Sequence, residues 1–66
     1  MVDVRALRGE MAKNNVSQTQ MAKTLGIAPK TFYNKMKKGN FGCDEAKIMT
    51  SELNIADPVS IFFAEE

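Results

Sequence analysis

One cysteine and no histidine in 66 residues leave this chain without the two staples that small folds most often use. A lone Cys43 cannot close an intramolecular disulfide. A structural zinc site wants four ligands, drawn mainly from cysteine and histidine, so neither metal nor cofactor is expected. A chain of this length buries only about 60 % of the surface its unfolded form exposes. It must therefore be held by efficient packing of short elements, or by association with another chain. The size predicts a single domain spanning residues 1–66.

The punctuation is that of short helices. Val4, Leu7 and Met11 share one helical face, and Asp3 stands where a cap belongs, which predicts a first helix from about Asp3 to Asn14. Asn14-Asn15 suits a left-handed ending. Ser17 with Gln20 three residues on forms a capping box, and Val16 and Met21 occupy the hydrophobic-staple positions. That second helix should end at Leu25, because Gly26 accepts the positive φ of a tight turn. Pro29 fits the first position of a third helix, running to about Lys38 and stopped by Gly39. A fourth is expected over about Cys43 to Leu53, with Asp44 and Glu45 in its first turn and Asn54 as its cap. Asp57-Pro58 starts a last short helix ending near Phe63, although residues 59–64 also read as a strand. The fold class expected is all-α, a compact bundle of about five short helices.

Two short helices joined by a few residues with glycine in the turn form a helix-turn-helix, here Gln18 to Lys37. Ala22 is small enough to let the next helix cross closely. Met21, Leu25, Ile27 and Phe32 fill the wedge between the two. Charge is distributed to match. Up to Cys43 there are eight cations against two anions; from Asp44 onward one cation, Lys47, stands against six anions. A basic part faces a polyanion and an acidic part faces away from it.

The stretch Ser17-Gln18-Thr19-Gln20-Met21-Ala22-Lys23-Thr24-Leu25-Gly26-Ile27 resembles the helix-turn-helix of the phage Cro and lambda-type repressors, the XRE family. Phe32 with Lys35-Met36, and the tail from Asn54-Ile55 through Ile61-Phe62-Phe63, are similar to small prophage regulators of that group. The resemblance implies operator DNA as the ligand and dimeric binding. In this architecture the later helix of the pair lies in the major groove and the earlier one crosses the backbone. Matched by position, the third helix offers Pro29, Lys30, Tyr33, Asn34 and Lys37, with Thr31 at its start. Lys30 is suited to guanine and Asn34 to adenine; Pro29 offers an apolar edge for a thymine methyl. Gln18 takes the position of a phosphate contact, and Lys38 and Asn40 follow the third helix toward the backbone. The family usually has an aliphatic residue where this chain has Lys35; the apolar residue comes one later, at Met36. This departure leaves open which of Lys35, Lys37 and Lys38 points at DNA.

A homodimer is expected, since one recognition helix reads about half a site. Ile61, Phe62 and Phe63 are candidates for its surface, the alternative being that they fold back onto Leu7 and Met49. No signal peptide or membrane span is apparent, so a cytoplasmic protein is expected, with no membrane partner and no small-molecule substrate. Enzyme activity is not expected: no phosphate-binding glycine loop and no nucleophile–base pair can be built. The competing reading is a protein-interaction module on the same fold, an antitoxin or anti-repressor, using the acidic C-terminal part.

Overall fold

The computed structural model describes residues 2–64. Five helices and no strand occur among them: α1 (Val4–Lys13), α2 (Gln18–Leu25), α3 (Pro29–Lys38), α4 (Cys43–Leu53) and α5 (Pro58–Phe62). The all-α expectation holds, and residues 58–62 are helix rather than strand.

Each helix starts and stops for a local reason. Asp3 Oδ1 accepts the Ala6 N–H at 3.1 Å at the start of α1. Asn15 takes the left-handed turn after it, with φ of 55°. The capping box of α2 is complete: the Gln20 N–H donates to Ser17 Oγ at 3.1 Å, and the Ser17 N–H donates to Gln20 Oε1 at 2.8 Å. Gly26 ends α2 at φ 73° and Gly39 ends α3 at φ 65°, both left-handed. Asn54 does the same for α4 at φ 50°. Asp57 Oδ1 accepts the Ser60 N–H at 3.3 Å and opens α5.

The five helices share one apolar core. Leu7 and Met11 of α1, Met21 and Ala22 of α2, Phe32 and Met36 of α3, and Met49 and Leu53 of α4 are all buried in it. Fully burying a side chain of this size is worth about 1.5–3 kcal/mol, so this cluster is the main source of the fold's stability. Leu25 and Ile27, placed in the wedge by the sequence, are half-buried against the same cluster.

Three core contributions lie outside periodic runs. Val2 and Ile55 are buried in the segments that precede α1 and follow α4. Phe41, in the connection between α3 and α4, packs its ring 5.6 Å from that of Phe32. Long-range backbone bonds then tie the chain together. The Val2 N–H donates to the Gly39 carbonyl at 3.3 Å, and the Asp3 N–H to the Ile61 carbonyl at 2.6 Å. Asn14 Nδ2 donates to the Leu53 carbonyl at 3.1 Å, joining the ends of α1 and α4.

Ile61 and Phe62 take the folded-back alternative and not the subunit surface: they are 6 % and 5 % exposed and belong to the core. A five-residue helix that packs against both α1 and α4 turns its consecutive Ile61 and Phe62 inward together. Phe63 is the one of the three left outside, at 60 % exposure.

Candidate nucleic-acid interface

Helix α3 turns by about 100° per residue, so the positions that share a face follow from its two buried anchors. Phe32 and Met36 point into the core. Lys30, Asn34 and Lys37 therefore form the ridge on the opposite side, and all three are exposed. Tyr33, 61 % exposed, flanks that ridge on one side with Pro29 at the helix start. Thr31 and Lys38, also exposed, flank it on the other.

Lys35 has a different role. Its Nζ lies 3.1 Å from Glu45 Oε1, and the same carboxylate oxygen accepts the Gly42 N–H at 2.8 Å. Glu45 thus joins the last turn of α3 to the first turn of α4. Lys35 is held along the flank toward α4, and its charge is paired, so Lys37 and Lys38 are the exposed cations of that turn. The departure at Lys35–Met36 is accommodated without disturbing the core: Met36 is buried where an apolar residue is required.

Asn40 is exposed just beyond Gly39. Its N–H already donates to the Lys35 carbonyl at 3.0 Å, closing the helix end, so only its side chain is available. Gln18 stands at the first position of α2 and is half-buried; its Oε1 is enclosed and meets no donor among the described residues. It lines a hollow of about 270 Å³ together with Arg8, Met11, Ala12, Val16 and Ser17. Arg8 was not a sequence candidate. It reaches this site because the fold brings α1 residues Arg8, Met11 and Ala12 beside the start of α2, and no local pattern signals that.

The sequence candidates thus fall into two groups. Pro29, Lys30, Thr31, Tyr33, Asn34, Lys37 and Lys38 share the exposed side of one helix, with Asn40 just past its end. Gln18 lies apart, at the start of the preceding helix. Such an arrangement is chemically equipped to donate hydrogen bonds to, and neutralise, a ridged polyanion. Among the described residues no helix is long and apolar enough to cross a membrane.

A family profile described as bacterial regulatory protein, Fis family, matches residues 6–39, just over half of the chain. The matched stretch begins in α1 and ends at the glycine that stops α3, so it contains the whole helix-turn-helix. It is a family of helix-turn-helix regulators, though not the Cro and lambda-type family that residues 17–27 resemble. No curated protein and no solved structure matches the chain.

Proposed function

Since the chain belongs to the Fis family of bacterial regulatory helix-turn-helix proteins, and is therefore a DNA-binding regulator of transcription, we propose that it is a Cro-like repressor, of phage or prophage type, that binds a near-palindromic operator as a homodimer. The observation that carries this reading is the ridge of Lys30, Asn34 and Lys37 on α3, opposite the buried Phe32 and Met36. In the major groove Lys30 donates to guanine O6 and N7, and Asn34 pairs its donor and acceptor with adenine. Tyr33, Pro29 and Thr31 border that contact. Lys37, Lys38 and Asn40 hold the phosphate backbone beside it, and Gln18, with Arg8 in the same hollow, holds the backbone across the groove. Repression follows from occupying the operator and excluding polymerase. The site of action is the cytoplasm, and no enzymatic step, cofactor or small-molecule substrate is involved.

The test is selection from a pool of randomised duplex DNA, followed by salt titration of the enriched sequences. The expected result is a near-palindrome with half-sites about one helical turn apart, bound with an affinity that falls steeply with salt. If nothing is enriched and no duplex is bound even at low salt, the helix-turn-helix serves a protein partner, as in an antitoxin or anti-repressor, and the repressor reading fails.

A further inference from the structure

Among the described residues, Gln18 Oε1 is the one buried side-chain polar atom without a hydrogen-bond partner. The polar groups next to it are already engaged. The Ser17 hydroxyl accepts the Gln20 N–H, and the Gln20 amide oxygen accepts the Ser17 N–H. An enclosed acceptor with no donor is costly, and folded proteins keep few of them.

The hollow of about 270 Å³ beside Gln18 is walled by Arg8, Met11, Ala12, Val16 and Ser17. Of these, only Arg8 has N–H donors in its side chain, five of them in one plane. Arg8 is exposed and makes no ion pair among the described residues. Ala12 is small, which leaves the hollow open toward α1.

We propose that Arg8 and Gln18 form one seat for a DNA phosphodiester, with Arg8 as the positioning residue for the Gln18 amide. The Arg8 guanidinium turns into the hollow and donates to Gln18 Oε1. That bond fixes the amide with Nε2 outward, beside the guanidinium N–H groups that remain. Both side chains then donate to the oxygens of a single phosphate. The planar fork of arginine suits this double duty, because its N–H groups diverge toward two acceptors at once. Once Oε1 is engaged, the pair presents one positive charge and only donors. A phosphodiester presents one negative charge and only acceptors. The inference deepens the DNA-binding reading above, and it is independent of the base contacts on α3, of operator symmetry and of dimerisation.

Two mutant cycles test it. The first uses the free protein. Gln18→Glu places a carboxylate at the hollow, and its gain in melting temperature at pH 7 should be larger by about 2 °C or more with Arg8 present than in an Arg8→Ala background. The second titrates binding of one duplex of arbitrary sequence against salt. Arg8→Ala and Gln18→Ala should each weaken binding about tenfold, and the double variant no more than that. Gln18→Ala should also lower the salt slope by about one, as Arg8→Ala does, although it removes no charge. Ala12→Leu fills the hollow from an exposed position of α1 and should reproduce the loss with melting unchanged. An equal gain from Gln18→Glu in both backgrounds, or losses that multiply to about a hundredfold in the double variant, would overturn the proposal and leave DNA binding standing. No duplex bound by the unmodified protein even at low salt would overturn the seat and the DNA-binding reading together.

Discussion

Helices α3 and α5 are built alike and present opposite surfaces. Each begins with proline, each buries two apolar side chains, and each has one aromatic about equally exposed, Tyr33 within α3 at 61 % and Phe63 just past α5 at 60 %. Around Tyr33 the exposed neighbours are Lys30, Asn34 and Lys37. Around Phe63 they are Val59 and the apolar groove against α4. An exposed aromatic is therefore uninformative alone. Its surroundings decide whether the surface is suited to a phosphate backbone or to another apolar face.

The strongest way to break the comparison is through its shared feature, the buried anchors. Phe32→Ala and Phe62→Ala should each cost about 3–5 kcal/mol in urea denaturation, since both rings sit in one core. A domain this small has little to spare. A markedly cheap Phe62→Ala would mean that α5 is an appendage rather than part of that core.

Lys30→Ala and Asn34→Ala should separate the two surfaces. Each is expected to weaken operator binding by about 1–3 kcal/mol and to relax base preference at one position. Neither should alter self-association or melting. Unchanged operator affinity in both would remove the assigned base contacts.

A smaller effect concerns the turns that lead into the two helices. Gly26→Ala should destabilise by about 1–2 kcal/mol, because φ of 73° is unfavourable for a residue with a Cβ even though open space surrounds the site. Asn54, at φ 50°, already tolerates that region, and Asn54→Gly should be close to neutral. Equal melting temperatures for Gly26→Ala and the unmodified protein would contradict the turn geometry.

The smallest effect sharpens the α3 surface itself. Lys35→Ala should leave the salt dependence of DNA binding almost unchanged, because Glu45 already holds that charge, and should cost about 0.2–1 kcal/mol of stability. Lys37→Ala should lower the salt slope by about one. A slope that falls equally for both would place Lys35 on the phosphate backbone and break its assignment to Glu45.

The residues alone were sufficient for the boundaries of the first four helices that depend on chemistry within a turn. Ser17 and Gln20 cap one another, Gly26 and Gly39 accept positive φ, and Pro29 opens α3, all through contacts no more than four residues apart, whereas residues 59–64 read equally as helix or strand. The outward ridge of Lys30, Asn34 and Lys37 is equally local, since helical geometry fixes it once Phe32 and Met36 face inward. Only the tertiary structure decided the rest. It paired Lys35 with Glu45, brought Arg8 to Gln18, buried Val2, Ile55 and Phe41 outside any periodic run, and turned Ile61 and Phe62 inward while leaving Phe63 at a groove. Caps and φ preferences act along the chain and can be read from neighbours. Burial and charge pairing depend on which helices pack together, and an apolar or charged residue looks the same in sequence whether its partner is the core, another helix or nothing.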